Sequence, residues 1–307
     1  MSSPGAGRFA PSPTGSLHLG NLRTALLAWL FARSAGLRFL VRVEDLDHGR
    51  VRARFEREQL EDLGALGLDW DGPVARQSER RERYDQAIES LARRGLLYEC
   101  FCTRAEIREA ASAPHGPLPE GAYPGTCRGL TAAELRERRA SGRAPALRLR
   151  AGGARIDFED RLLGRQGAVV DDFVVRRGDG VPAYNVAVVV DDDDQGVTEV
   201  VRGADLLDTT PRQVLAARLL GLASPVFAHV PLVLAPDGSR LAKRHDAVTL
   251  RARSEPPAEV LGALAATLGL ADVGEAVHPA LLLARFDPAG LPRQPTRLGA
   301  TALEAER

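Results

Sequence analysis

Apolar and polar residues near the N-terminus repeat first with the period of a strand and then with that of a helix. A short apolar segment ends before Pro11, and a helix is predicted to begin at Asn21 or Leu22. The apolar run at residues 37–43 indicates a second strand. Strand, helix and strand together predict a βαβ unit, whose ligands gather at the carboxyl ends of its parallel strands.

The second half of the chain returns to this alternation. The continuous apolar run at residues 186–190 predicts a strand covered on both faces, and residues 198–202 predict a shorter one. The acidic run at residues 191–194 is predicted to cap a turn, without a catalytic role. A helix is predicted at residues 210–220. Between the two halves, short helices and strands around a segment rich in proline and glycine indicate an insertion into the core.

Composition narrows the classes of protein that the chain can represent. Its 307 residues allow a sizeable core, and no apolar run reaches the roughly 18 residues that span a bilayer. No secretory signal is visible, and three cysteines in a chain of this length argue for a reducing cytoplasm. The formal net charge is zero, so a nucleic-acid partner would have to be met by a local basic patch.

The turn that precedes the first helix has the features of a phosphate site. Unpaired N–H groups in the first helical turn, with the positive end of the helix dipole, attract an anion. Gly20 lacks a Cβ and would let a flat ligand approach the backbone, and the ring of His18 lies where it can donate to a phosphate oxygen. The alternative is an ordinary turn between a strand and a helix with a histidine placed by chance.

A basic loop far along the chain favours the phosphate interpretation. Lys243 is the only lysine among 41 lysine and arginine residues, and it lies in a Gly/Ser loop with Arg240 and Arg244. A lysine is a compact, movable charge, whereas arginine presents a planar fork, so a site that requires one movable cation would retain lysine. The alternative is that a single lysine falls there by chance.

All three cysteines lie within a short span, at Cys100, Cys102 and Cys127. Thiolates bind Zn²⁺ well, and such a site would close a loop that has little core of its own. The spacing leaves the fourth ligand open, with His115 as the generic choice. The alternative is that three free cysteines pack as small apolar residues.

Two motifs carry a resemblance to a known family. The segment SLHLG at residues 16–20 resembles the HIGH motif, and RLAKR at residues 240–244 resembles the KMSKS loop, of class I aminoacyl-tRNA synthetases. Two further segments are similar to the glutamyl branch of that family, namely RFAPSPTG at residues 8–15 and VRGADLLDTTPRQ at residues 201–213. The resemblance covers most of residues 5–255, and the short chain resembles that branch's short paralogue, which acts on queuosine of tRNA(Asp).

The resemblance implies a fold and a division of the chain. The fold is a Rossmann-like, doubly wound parallel α/β sheet with an inserted α+β subdomain and a short C-terminal helical region, and without an anticodon-binding domain. The predicted boundaries are residues 1–98 for the first half of the catalytic domain, 99–182 for the insertion with its cysteine cluster, 183–250 for the second half, and 251–307 for the helical region.

The resemblance also implies roles for individual residues. Catalysis falls to His18, Gly20 and Lys243, and the ATP site adds Asn21, Arg240 and Arg244. The pocket for glutamate is formed by Arg8, Ser12, Glu44, Tyr184 and Arg202. In it Glu44 receives the α-ammonium and Arg202 the side-chain carboxylate, which a guanidinium binds well in a bidentate manner. Tyr123 becomes the fourth ligand of a structural zinc, beside the three cysteines.

The expected function follows from these roles. ATP with Mg²⁺ activates L-glutamate, and the glutamate is then transferred to queuosine at the wobble position in the anticodon stem-loop of tRNA(Asp). A cytoplasmic monomer without a membrane partner is expected. Two alternatives stay open, namely a truncated glutamyl-tRNA synthetase that charges the tRNA 3′ end and a non-catalytic nucleotide-binding or RNA-binding homologue.

Overall fold

The secondary structure is described for residues 5–111, 122–235, 237–239, 241 and 249–297 by a computed structural model. The strands are β1 Ala6–Phe9, β2 Arg38–Val43, β3 Ala75–Arg76, β4 Leu97–Cys100, β5 Ala146–Leu149, β6 Arg155–Asp160, β7 Gly164–Val169, β8 Val174–Arg176, β9 Val197–Gly203, β10 Val226–Val230, β11 Val233–Leu234 and β12 Thr296–Arg297. The helices are α1 Leu19–Ser34, α2 Ala53–Ala65, α3 Arg81–Arg93, α4 Arg104–Ala111, α5 Ala132–Ala140, α6 Tyr184–Asp194, α7 Thr210–Leu220, α8 Pro257–Ala266 and α9 Pro279–Arg285.

Seven strands form the central sheet, in the order β3-β2-β1-β9-β10-β6-β7. Its pairings are parallel except for the β6–β7 hairpin at one edge. Strand β1 lies between β2 and β9, so the strand order reverses there. Ligands of open α/β sheets bind at such a switch point, outside the carboxyl ends of the strands. The mostly parallel α/β sheet predicted from the sequence is confirmed.

Helices cover both faces of this sheet, as a doubly wound fold requires. Phe39 and Val41 of β2 belong to one apolar cluster, which includes helices α1, α8 and α9, whereas Leu40 belongs to the opposite cluster, with α3, α6 and α7. Successive side chains of a strand point to opposite faces, so this split identifies two separate layers of helices. Among the described residues, no helix is both long and apolar enough to cross a bilayer.

The strand predicted at residues 186–190 is wrong, because this run lies inside helix α6. All five residues are buried, between helices α3 and α7 and against strand β9. A continuous apolar run does not distinguish a buried strand from a helix that is covered on all sides. Here packing outweighs the preference of valine for strands, since that preference reflects the surroundings of the side chain more than the backbone.

The predicted insertion contributes to two different sheets. Strands β4, β5 and β8 form a separate antiparallel sheet, near helices α4 and α5. Strands β6 and β7, although they lie within residues 99–182, extend the central sheet next to β10. In this arrangement Asp160, the last residue of β6, pairs with Phe227 near the start of β10. The proposed domain boundaries stay a prediction.

Candidate active site

The first turn of α1 is organised by a histidine cap. His18 is extended, and its Nδ1 accepts a hydrogen bond from the Asn21 N–H at 3.1 Å, while the side-chain oxygen of Asn21 accepts from the His18 N–H at 3.3 Å. This reciprocal pair starts the helix at Leu19, before the predicted Asn21 or Leu22. Because Nδ1 is an acceptor, a neutral ring carries its proton on Nε2.

Gly20 has a structural reason to lack a side chain. A Cβ at this position would lie 3.1 Å from the His18 ring and 3.5 Å from the Cβ of Val233. The first contact is tighter than ordinary van der Waals packing, so a larger residue would displace the ring of His18. Gly20 therefore keeps the capping geometry of the histidine intact, in addition to any role in ligand approach.

The chain that follows the lysine-containing segment returns to this turn. The backbone of His18 forms an antiparallel β-bridge with Thr249. Arg240, Lys243 and Arg244 lie outside the described residues, as does His115, so their side chains have no described geometry. The described chain resumes at residue 249, directly beside the histidine cap.

A buried ion-pair network lies beneath the carboxyl ends of β1 and β2. Arg42 is fully buried, and its Nη1 donates to Asp192 Oδ1 at 2.7 Å, which Arg8 Nε also contacts at 3.3 Å. The expectation that residues 191–194 cap a turn is wrong, because they form the last turn of α6, in which Asp191, Asp192 and Asp194 bind arginines. Asp191 contacts the side chains of Gln77, Arg80 and Tyr84, and its Oδ2 lies 3.5 Å from Arg42 Nε.

Glu44 follows strand β2 and lies at the margin of this network. Its carboxylate oxygen is 3.6 Å from Arg42 Nη2, and the Ser12 hydroxyl donates to its backbone carbonyl at 2.7 Å. Burial raises the pKa of Glu44 to about 7, and the charges of Arg42 and Arg8 only partly oppose that shift. A cation bound at this carboxylate would therefore be favoured, because it would stabilise a charge that burial disfavours.

Arg202 has an environment opposite to that of Arg42. The side chain is 4% exposed, and its nitrogens donate to His229 Nε2 at 3.1 Å, to Gln213 Oε1 at 2.8 Å and to Thr210 Oγ1 at 2.7 Å. Every one of these acceptors is uncharged. Among the described residues no carboxylate forms a salt bridge with Arg202, and burial lowers its pKa. The guanidinium thus carries a buried positive charge that an incoming anion would neutralise.

The residues predicted to bind glutamate converge electrostatically. Burial raises the pKa of the Tyr184 phenol, the charge of Glu44 raises it further, and the charges of Arg202 and Arg8 oppose the shift. Arg8 and Arg202 lie near the carboxyl ends of the adjacent strands β1 and β9, and Glu44 follows β2, the other neighbour of β1. The fold therefore brings Arg8, Glu44 and Arg202 together at the carboxyl ends of the central strands, and their charges act on Tyr184.

A cavity of about 340 Å³ lies beside Tyr184, between the start of α6 and the predicted insertion. It is lined on one side by Tyr184 and Asn185, at the start of α6, and on the other by Tyr123 and Arg148 near the cysteine cluster. Phe173 and Val174 add apolar lining. The cavity is thus shared between the central sheet and the smaller antiparallel sheet.

The three cysteines meet in space. Their sulfur atoms lie within 4.8 Å of one another, as metal ligands do. The Tyr123 hydroxyl oxygen lies 3.5 Å from Cys100 Sγ and 3.8 Å from Cys102 Sγ, and it accepts the Cys127 N–H at 2.8 Å. Although burial alone would raise it, hydrogen bonds from Tyr123 and Arg148 hold the pKa of Cys100 below its ordinary value. Three soft sulfur donors with a phenol oxygen fit the ligand chemistry of Zn²⁺.

Sequence reasoning missed the residues that hold Arg202 and Arg42 in place. His229 and Asp160 come from two strands that are 69 residues apart in the chain, and Gln213 lies on α7. A histidine within the apolar segment VFAHV was the one available signal, because a polar residue in a buried strand requires partners. Nothing in the local pattern identified Arg42 as the centre of an ion-pair network.

Comparisons with known proteins agree with the fold. A family model described as "tRNA synthetases class I (E and Q), catalytic domain" matches residues 6–269. The crystal structure of a glutamate tRNA ligase from Elizabethkingia meningosepticum, in complex with its amino acid, superposes with a TM-score of 0.82. It is 29% identical, and the match covers 98% of this chain and 68% of that one.

Curated relatives are more similar still. A glutamyl-Q tRNA(Asp) synthetase from Nocardia farcinica is 62% identical over 296 residues, which are 95% of this chain and 92% of the relative. Another from Symbiobacterium thermophilum is 51% identical over 315 residues, with 97% of each chain covered.

Proposed function

This chain belongs to the glutamyl-Q tRNA(Asp) synthetases, within the class I tRNA synthetases for glutamate and glutamine, and we propose that it activates L-glutamate with ATP and transfers it to queuosine. The enzyme is a ligase of the adenylate-forming type. Glutamate, ATP and a tRNA are its substrates, and we assign the acceptor as the queuosine at the wobble position of the tRNA(Asp) anticodon.

The observation that carries the proposal is a pair of buried ionisable side chains that a ligand of opposite charge would stabilise. Arg202 is a cation whose partners are all neutral, and Glu44 is a carboxyl group whose ionised form is disfavoured by burial. Free glutamate carries an ammonium group and a side-chain carboxylate, which match these two needs. We propose that Glu44 receives the ammonium, Arg202 receives the carboxylate, and Arg8, Ser12 and Tyr184 complete the pocket.

Activation requires no nucleophile from the protein. An α-carboxylate oxygen of glutamate attacks the α-phosphorus of ATP, the bond to the β-phosphate oxygen breaks, and pyrophosphate leaves. The protein positions two anions and stabilises the charge that develops on the phosphates. We assign this work to His18, to the N-terminus of α1 with Gly20 and Asn21, and to Lys243 with Arg240 and Arg244. Mg²⁺, when bound with ATP, would help to neutralise the charge on the phosphates.

The second step transfers glutamate to the acceptor. A hydroxyl of the cyclopentenediol of queuosine attacks the activated carbonyl carbon, and AMP leaves. The cavity next to Tyr184 supports this step, because it gives an acceptor about 340 Å³ of space beside a residue of the pocket proposed for glutamate. Arg148 in its lining, whose guanidinium stacks on the ring of Tyr123, offers a planar cation of the kind that binds nucleosides.

Two assays on the purified protein test the proposal. Glutamate-dependent exchange of labelled pyrophosphate into ATP reports activation, and labelled glutamate on tRNA reports transfer. We expect transfer to tRNA(Asp) that contains queuosine and none to the same tRNA with unmodified guanosine. Charging of the 3′ end of a glutamate tRNA would instead identify an ordinary glutamyl-tRNA synthetase. If no exchange occurred either with or without tRNA, the protein would be a non-catalytic homologue.

We also propose that the cysteine cluster holds one structural Zn²⁺, with Cys100, Cys102, Cys127 and Tyr123 as ligands. The ion would tie strand β4 to the turn before α5, two segments that share little apolar core. It would supply no reaction chemistry.

The absence of a disulfide among the three cysteines also supports a cytoplasmic location. The monomer expected from the sequence stays a prediction.

Metal analysis with matched variants tests the zinc proposal. We expect one zinc per chain, and we expect Tyr123→Phe to weaken zinc binding by about 10-fold or more, because that change removes only the ligand oxygen. The alternative fourth ligand provides the control, since His115→Ala is expected to leave zinc affinity unchanged. Competition with a chromogenic chelator measures both. The reverse ranking would make His115 the ligand, and three freely titrating thiols without zinc would refute the site.

A further inference from the structure

Behind Arg202 lies a buried histidine–carboxylate pair that the proposed reaction does not use directly. His229 in β10 and Asp160 at the end of β6 are both almost fully buried, and His229 Nδ1 lies 2.6 Å from Asp160 Oδ2. The other ring nitrogen, Nε2, faces Arg202 Nε at 3.1 Å. The three side chains therefore form a line across three neighbouring strands, from β6 over β10 to β9.

The contacts of Asp160 keep it ionised. One carboxylate oxygen accepts the backbone N–H groups of Leu162 and Leu163, and the other accepts the N–H of His229 itself. Although burial acts in the other direction, these hydrogen bonds and His229 lower the pKa of Asp160. An ionised Asp160 accepts a hydrogen bond from the N–H at Nδ1 of His229, which leaves Nε2 with its lone pair.

The histidine is accordingly a neutral acceptor with a fixed tautomer. Burial lowers the pKa of His229, and the positive charges of Arg202 and Arg8 lower it further. The hydrogen bond with Asp160 and the charge of Asp160 oppose this shift only in part. Nε2 then accepts from Arg202 Nε, while the Thr210 hydroxyl accepts from another nitrogen of the same guanidinium. A protonated ring would instead present a second cation to Arg202.

We propose that Asp160 and His229 form a positioning pair that fixes the guanidinium plane of Arg202 for the side-chain carboxylate of glutamate. This inference rests on the function proposed above. Its physical basis is that a neutral acceptor orients the guanidinium without neutralising it. A carboxylate directly behind Arg202 would orient the guanidinium equally well but would neutralise its charge, as Asp192 neutralises Arg42. The substrate carboxylate would then bind less tightly.

Two substitutions of His229 separate the roles of its two nitrogens. In His229→Asn, the amide nitrogen reaches the place of Nδ1 and still donates to Asp160, but no acceptor faces Arg202. In His229→Gln, the amide oxygen reaches the place of Nε2 and still accepts from Arg202. If His229 serves only to stabilise the fold near Asp160, His229→Asn should bind glutamate better than His229→Gln. If His229 positions Arg202, His229→Gln should bind glutamate better.

The measurement is glutamate-dependent ATP–pyrophosphate exchange, with the KM values for glutamate and ATP determined separately. His229→Asn is expected to raise the KM for glutamate by about 10-fold or more, since a hydrogen bond to a charged group is lost. His229→Gln is expected to restore most of that affinity. The KM for ATP should stay at the wild-type value in both variants, and thermal melts confirm that each is folded.

Equal KM values for glutamate in the two variants, or a parallel rise in the KM for ATP, would overturn the proposal. Thr210→Val provides a second route if either histidine variant does not fold, because it removes one hydroxyl that contacts Arg202 and His229. A folded Thr210→Val protein with an unchanged KM for glutamate would then also count against it. Wild-type protein without any exchange would refute the proposed function instead.

Discussion

Replacement of Lys243 by alanine is expected to lower glutamate-dependent ATP–pyrophosphate exchange by about 100-fold or more. The reason is that this ammonium would stabilise the charge that develops on the departing pyrophosphate, and the chain contains no other lysine to replace it. The loss should appear mainly in kcat, since the interaction strengthens in the transition state. Initial-rate measurements at saturating ATP and glutamate give this value directly.

Two further variants make the test specific. Lys243→Arg keeps the charge but changes its shape, and it is expected to recover only part of the activity, because a planar fork does not reproduce a movable point charge. Arg218→Ala removes an exposed cation on helix α7 and is expected to leave exchange unchanged. Near-normal exchange in Lys243→Ala would remove this residue from the mechanism.

The sequence was sufficient for those parts of the fold that local patterns encode. The turn before α1, strand β2, strand β9 and helix α7 were predicted within a few residues, because proline, glycine and apolar periodicity mark their limits. Helix α6 could not be predicted in the same way. Its valines are buried on every side by elements distant in sequence, so the local pattern carried no helical period.

The partners of the charged residues likewise could not be predicted from the local sequence. Arg42 and Arg202 both occupy strands of the central sheet, and the sequence around them does not reveal which one is neutralised by acids. Asp192 reaches Arg42 only because α6 is a helix that ends beside β2. Likewise, His229 meets Asp160 because strands β6 and β10 are neighbours, although 69 residues separate these two side chains along the chain.

This difference between two buried arginines gives the second large expected effect. Arg202→Met is expected to raise the KM for glutamate by about 100-fold, because the substrate carboxylate would lose the buried guanidinium proposed to bind it. The free energy of unfolding should change by less than about 1.5 kcal/mol, since the substitution removes an unneutralised buried charge together with hydrogen bonds to neutral groups. Exchange kinetics and urea denaturation measure the two effects.

Arg42→Met is the matched control, because it has the same chemistry at a site where acids surround the guanidinium. Its loss would leave Asp192 and Asp191 buried with fewer counter-charges, so the free energy of unfolding should fall by about 3–5 kcal/mol. The two variants thus have opposite expected profiles, one deficient in substrate affinity and the other in stability. If Arg202→Met destabilised the protein as much as Arg42→Met and left the KM for glutamate unchanged, Arg202 would be a structural residue and the proposed pocket would have no anion site.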